Sequence, residues 1–253
     1  MIHGGGAHAL WWGFLAPLLA GDRDVFALDL SGHGDSGRRD RYPREVWADD
    51  VRAVIDDAKL EGRPFLVGHS MGGFVAMVAA SRYGDRLSGA ILVDSPLRSQ
   101  RDEAPAVNAP SAASAGWSFQ RITPYADFET ARSRFRLLPP QPTPHPFLVD
   151  YVAEKSVRED SDGFTWKFDP RVFERASSSS LREYFVSTRC RLAIVRGADS
   201  VVLPRETAES MAALLPGRVP LIEIPDAHHH VMFDQPLALL VAIRSLLAAW
   251  EIS

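Results

Sequence analysis

The residues that could do chemistry in this chain are few and lie far apart. Ser70 stands in the middle of Gly68-His69-Ser70-Met71-Gly72. An apolar run, Pro64-Phe65-Leu66-Val67, precedes it, and Phe74, Val75, Met77 and Val78 follow at helical spacing. G-x-S-x-G between a strand and a helix reads as a nucleophile elbow, a sharp turn that strains the serine backbone. Glycines are needed where a Cβ would strike the neighbouring strand or helix. The five-residue pattern is weak alone; the strand before it and the helix after it give it weight. A serine hydroxyl becomes a nucleophile only with a base beside it, so a histidine must be found.

Three adjacent histidines, His228-His229-His230, offer that base. They also suggest a metal cluster. Adjacent side chains do not easily converge on one ion, and no cysteine or carboxylate has ligand spacing to them, so no metal site is expected. Near the start, Met1-Ile2-His3-Gly4-Gly5-Gly6 carries a glycine run. It could turn backbone N–H groups toward one point, as a developing oxyanion needs, or simply be a mobile glycine-rich terminus. Arg132, Arg134 and Arg136 could meet an anionic substrate, but a solvated helix face is the expectation. The acids at Asp49, Asp50, Asp56 and Asp57 read the same way.

The elements that must hold these residues follow from periodicity. Leu10–Ala20 predicts a helix, Asp24–Leu30 a strand, and Ser31–Gly37 a turn-rich loop. Pro43 opens a helix carrying Trp47, Val51, Val54, Ile55 and Ala58 on one side. A strand over Pro64–His69, a helix over Met71–Tyr83 and a buried strand over Gly89–Asp94 come next. From Leu97 to Arg189 the pattern changes. Ala, Ser and Pro crowd residues 104–116, prolines cluster over Pro139–Pro146, and aromatics from Trp117 and Phe119 to Phe168 are scattered throughout. Helices are predicted near Phe128–Leu138, Phe147–Val157 and Leu181–Ser187. A segment this long is not a structureless loop, so it reads as a helical lid. The alternation then resumes with a strand at Arg191–Arg196, a helix at Pro204–Leu215, a strand at Val219–Ile224 and a helix at Pro236–Trp250. Strands alternating with helices imply a mostly parallel α/β sheet covered on both faces. The division expected is a core at 1–96, the lid insertion at 97–189 and a second core part at 190–253.

Composition bounds the function. With 253 residues, 46% hydrophobic and 24% charged, the chain is an ordinary globular protein. A net charge of -4 and the lack of a basic stripe argue against a nucleic-acid partner. No apolar stretch has the length of a membrane span, so no membrane partner is expected. The single cysteine, Cys190, cannot pair within the chain and fits a reducing compartment. Leu10–Ala20 has no basic segment ahead of it, so it reads as a buried helix of a cytoplasmic protein, not a leader.

With these motifs in order, the sequence resembles the α/β-hydrolase superfamily along nearly its whole length. The resemblance rests on His3-Gly4-Gly5, Asp29-Leu30-Ser31-Gly32-His33-Gly34-Asp35-Ser36, Gly68-His69-Ser70-Met71-Gly72-Gly73, and His229 with Asp234-Gln235-Pro236. It implies an α/β-hydrolase fold with an inserted lid, and a serine–acid–histidine order. It places the base five residues before the acid of H-x4-[DE]-x-P, which is His229, and gives the loop at 29–36 a structural role. The acid departs from the common pattern. Relatives carry it three or four residues past the glycine that ends the next-to-last strand, and here those positions are Ser200 and Val201. Asp199 lies one residue early. Some branches take the acid from the end of the strand after the elbow helix, where Asp94 stands. A buried strand end holds a carboxylate more firmly than a glycine loop, so Asp94 is favoured over Asp199, with a simple strand-end cap as its bland alternative.

The resemblance further implies acyl transfer from a small-molecule substrate through an acyl-enzyme on Ser70. His229 would serve as base, and the N–H groups of Gly5 and Met71 as oxyanion hole. No cofactor or metal is implied. The aromatic lid suggests a small to medium, largely apolar ester. The alternatives are a receptor-like, non-catalytic relative binding a small ligand, and a lyase or acyltransferase using the same triad. The resemblance also implies two strands and most of a third ahead of His3, so the N-terminal strands are apparently missing. The expectation is a natural start some twenty to thirty residues upstream.

Overall fold

A computed structural model describes residues 1–21, 23–97, 124–174, 180–217 and 219–252. The expected crowding of Ala, Ser and Pro at 104–116, with Trp117 and Phe119, lies outside the described residues. Four parallel strands form the sheet: β1 (Phe65–His69), β2 (Gly89–Val93), β5 (Arg191–Gly197) and β6 (Leu221–Ile224), in the order β1-β2-β5-β6. Their burial follows the two-residue period of a strand. Leu66, Ala90, Leu92, Leu192 and Ile194 face one apolar cluster, and Val67, Ile91, Val93, Ala193 and Val195 face the other. A sheet buried on both faces needs helices on both, and the chain supplies them.

On the first face lie α2 (Arg44–Asp57) and α3 (Met71–Tyr83), with α6 (Leu181–Val186) against α3 and Phe185 fully buried there. Small residues let α3 sit close to the sheet: Gly72, Gly73, Ala76, Ala79 and Ala80 are all buried. On the second face, α1 (Ala16–Leu19) and α9 (Pro236–Ile252) pack together over Trp12, Leu15, Phe233 and Leu239. Each fully buried side chain of this size contributes about 1.5–3 kcal/mol. The helix α7 (Arg205–Ala213) joins β5 to β6, and one turn, α8 (Val231–Asp234), precedes α9.

Two expectations near the N-terminus are corrected. Leu10–Ala20 is not one helix but a 3-10 turn at Ala9–Trp12 followed by α1. Gly13 separates them at a place where a Cβ would lie 2.7 Å from the Tyr151 hydroxyl, and Pro17 stands in the first turn of α1. Asp24–Leu30 does not form a ladder. Only Leu28 pairs, in a parallel bridge to Ile2, which bridges Gly68 of β1 on its other side. Ile2 thus lies between them, its N–H donating to Val67 O at 2.8 Å and its carbonyl accepting from His69 N at 3.1 Å. One residue can satisfy only one step of each neighbour, which is why 24–30 stays extended without being a strand.

The segment after β2 is not wholly helical. It contains α4 (Phe128–Ser133) and α5 (Pro146–Lys155), then a hairpin of β3 (Val157–Asp160) and β4 (Gly163–Trp166) that periodicity did not reveal. Val-Arg-Glu-Asp is too polar to read as a strand, but Gly163 at φ +126° makes the turn, and Phe164 and Trp166 favour extended backbone. No described helix is long and apolar enough to cross a membrane.

Candidate active site

The elbow is built by close approach. Ser70 follows β1 and adopts φ 52°, ψ −119°, a conformation costing about 1–3 kcal/mol in a non-glycine residue. The surroundings hold it there. Ser70 N–H donates to Val93 O of β2 at 2.9 Å, and Ser70 O accepts from Gly73 N and from the Ser95 hydroxyl, both at 2.9 Å. A Cβ on Gly68 would fall 2.3 Å from Gly72 O, and one on Gly72 2.4 Å from Ile2 O, so both positions exclude every other residue. The N-terminus of α3 therefore begins at the serine, with its positive dipole end beside the hydroxyl.

His229 Nε2 lies 3.0 Å from Ser70 Oγ, and His229 Nδ1 lies 2.8 Å from Asp94 Oδ1. The carboxylate can only accept, so His229 is the Nδ1–H tautomer and its Nε2 is left as acceptor for the serine proton. Asp94 is fully buried at the end of β2, at φ 48°. Its carboxylate accepts three hydrogen bonds: from His229, from the Ser200 hydroxyl at 2.6 Å and from Gly197 N–H at 3.0 Å. Asp199 is exposed, and its side chain has no partner among the described residues; only its backbone N–H is engaged, with Ala227 O at 2.9 Å. Of the two candidate acids, the structure brings Asp94 to the histidine and leaves Asp199 outside.

The three histidines diverge. His228 turns to Asp234, whose Oδ2 accepts its backbone N–H at 2.6 Å and lies 3.1 Å from Nδ1. His230 packs against Trp11 and meets Gln141. Among the described residues no group of three or more His, Cys, Asp or Glu is placed to hold a metal ion.

Gly5 lies beside Met71: a Cβ on Gly5 would be 3.6 Å from Met71 Sδ and 3.2 Å from Phe173 Cε1. Neither backbone N–H has an acceptor among the described residues. The glycine loop is tied down, not free. His3 Nδ1–H donates to Gly4 O at 2.7 Å, and its Nε2 accepts Leu30 N–H at 3.1 Å, so the ring is neutral and bridges the loop to residue 30. Burial holds the His3 pKa below the ordinary value.

Several contributors were not singled out from the sequence. Ser200 and Ser95 look like loop serines, yet they hold the Asp94 carboxylate and the Ser70 carbonyl. His69 Nε2–H donates to the backbone carbonyl of His229 at 2.9 Å. Burial, and after it the neighbouring His229, pushes the His69 pKa well below its usual range. Its place inside the elbow motif was the only available signal.

Comparison with known proteins gives the family. Residues 1–243 match the family described as the alpha/beta hydrolase family. A stretch of 100 residues is 38% identical to a 2-hydroxymuconate semialdehyde hydrolase of Pseudomonas sp. (strain CF600), covering 38% of this chain and 35% of that one. Another of 103 residues is 36% identical to a pimeloyl-[acyl-carrier protein] methyl ester esterase of Neisseria meningitidis serogroup A, covering 41% and 31%. The matched stretches span about a third of the length of these relatives. In fold, the chain is similar to E-2-(acetamidomethylene)succinate hydrolase, with a TM-score of 0.80 at 22% identity over 98% of this chain and 90% of that one. It is likewise similar to an esterase of M. tuberculosis, with a TM-score of 0.77 at 21% identity over 98% and 83%.

Proposed function

The chain belongs to the α/β-hydrolase family, and from that premise we propose that it is a serine hydrolase cleaving an ester or related acyl bond. The observation that carries the reading is the continuous relay from Ser70 Oγ through His229 to the buried carboxylate of Asp94. In this reaction His229 Nε2 takes the serine proton as Oγ attacks the substrate carbonyl. Asp94 holds the Nδ1–H tautomer and stabilises the imidazolium that forms. The developing oxyanion is received by the N–H groups of Gly5 and Met71, at the positive end of α3. His229 then returns the proton to the leaving group, and water, activated by the same histidine, releases the acyl group from Ser70.

The relatives named as a hydrolase and an esterase support hydrolysis, and others named as probable alcohol acetyltransferases support transfer to another acceptor as the second reading. Phe168 and Phe173 stand edge to face, and Phe173 flanks Gly5, which supports a small to medium, largely apolar substrate. In this reading the described residues 124–174 belong to the lid over that substrate, with Gln141 and Phe173 reaching the site from it, while Leu181–Val186 belongs to the helical layer on α3.

The test is labelling with a fluorophosphonate probe beside a panel of short p-nitrophenyl esters. Label on Ser70, with a burst of p-nitrophenol before steady turnover, is the expected result. A protein that takes no label and releases no p-nitrophenol is instead a ligand-binding relative.

A further inference from the structure

The loop carrying His229 is gripped at three successive residues, and one grip comes from outside the sheet-and-helix body. Asp234 Oδ2 accepts His228 N–H at 2.6 Å, and His69 Nε2–H donates to His229 O at 2.9 Å. The third grip is Gln141, from the proline-flanked stretch between α4 and α5. Its Oε1 lies 2.8 Å from His230 N and 2.7 Å from His230 Nδ1, and its Nε2 lies 3.4 Å from His230 O. The backbone N–H can only donate, so it fixes the orientation of the amide and makes His230 the Nδ1–H tautomer. One side chain thereby holds the main chain and the ring of the residue next to His229.

The surroundings are largely rings. His230 is 3% exposed, and the rings of Trp11, His69 and His229 stand 5.7, 5.5 and 4.8 Å from its own. Without the Gln141 oxygen, two N–H donors of His230 would be buried without an acceptor, and the loop would shift to find one. A displacement of about 1 Å at a reacting group can cost roughly a hundredfold in rate. The contact between His229 Nε2 and Ser70 Oγ, at 3.0 Å, is the one such a shift would open.

We propose that Gln141 is a positioning residue for the base: by fixing the His230 main chain it aims His229 at Ser70, and it makes that aim depend on how the 124–174 segment is seated. The proposal rests on the acyl-transfer reading above.

The experiment compares the wild type with Gln141→Met, which keeps the length and loses the acceptor, and Gln141→Glu, which keeps both. The measurements are the rate of fluorophosphonate labelling of Ser70, kcat and KM for a p-nitrophenyl ester at pH 8, and the melting temperature. Gln141→Met is expected to slow labelling and kcat at least tenfold with KM within twofold, while Gln141→Glu stays within threefold of wild type. Wild-type labelling by Gln141→Met, or equal losses in Met and Glu, overturns the proposal. Should Gln141→Met not fold, Gln141→Asn, one methylene too short to reach, takes its place with the same expectation. Failure of both to fold assigns Gln141 to stability and overturns it too. A wild type that takes no label overturns the acyl-transfer reading and this proposal with it, whereas a labelled wild type with unaffected variants overturns only the proposal.

Discussion

The Ser200 hydroxyl donates to Asp94 Oδ1 at 2.6 Å, the same oxygen that accepts from His229 Nδ1. Ser200 occupies one of the two positions where the resemblance expected an acid. The hydroxyl at that position supports a carboxylate delivered by the neighbouring strand. The two strands β2 and β5 are paired in parallel register, Val93 opposite Val195, so the residues just beyond their ends meet.

Asp94→Asn is expected to lower kcat by about 10⁴-fold, because asparagine keeps the shape while favouring the wrong imidazole tautomer. Asp199→Asn should stay within twofold of wild type, since its side chain touches nothing in the site. Steady-state kinetics on one ester decides it; the opposite ranking would return the acid to Asp199.

Ser200→Ala removes a donor to Asp94 and the acceptor of Val202 N–H and Leu203 N–H, at 3.2 and 3.3 Å. Stability should fall by about 1–3 kcal/mol and kcat by roughly tenfold. Urea titration read beside kcat separates the two effects. A full loss of activity would mean that Ser200 does more than hold the carboxylate.

Ser70→Ala should abolish labelling and turnover while leaving the melting temperature unchanged or slightly raised. The strain at φ 52° is imposed by backbone contacts and is not held by the hydroxyl. Label that persists in the variant, located by mass spectrometry, would move the nucleophile elsewhere.

His229→Ala is expected to cost orders of magnitude more activity than His228→Ala, whose imidazole faces Asp234 and not the serine. Equal losses at the two positions would refute the assignment of the base.

Acid should destabilise the fold well before carboxylates titrate. Burial holds His8 at a pKa of about 4 and pushes His33, His69 and His230 well below the ordinary 6.5. Below about pH 7 the unfolded chain takes up protons that the folded chain refuses, so stability is full above that pH and falls as pH drops. For His8 alone the loss approaches about 3 kcal/mol by pH 4. Melting temperatures measured from pH 8 to 4.5 should decline steadily; a flat profile down to pH 5 would contradict this.

Much of the site was legible in the sequence because its parts are set by local rules. The elbow needs glycines at 68 and 72 where this strand turns sharply into the helix, and the periodicity predicts a helix over Met71–Tyr83, the limits observed. The continuous apolar runs at 64–69, 89–94 and 191–196 imply strands of a sheet buried on both faces. The choice of His229 needed the resemblance, since nothing in His228-His229-His230 distinguishes the three rings by composition.

Tertiary structure decided what depends on neighbours distant in sequence. Asp94 and Asp199 both follow strands; they are separated only by parallel pairing, which turns the carboxylate of one inward to His229 and leaves the other exposed. Asp24–Leu30 has the composition of a strand, but a ladder needs a partner along its length, and Ile2 offers one residue. The β3–β4 hairpin escaped because its first strand, Val-Arg-Glu-Asp, is polar and draws its backbone pairing from Gly163–Trp166. Gln141 could not be found by spacing at all: 89 residues separate it from His230, and only the folded chain puts its amide oxygen against that residue. Local patterns choose the backbone conformation of each segment; which side chains then share a hydrogen bond is a property of the packed chain.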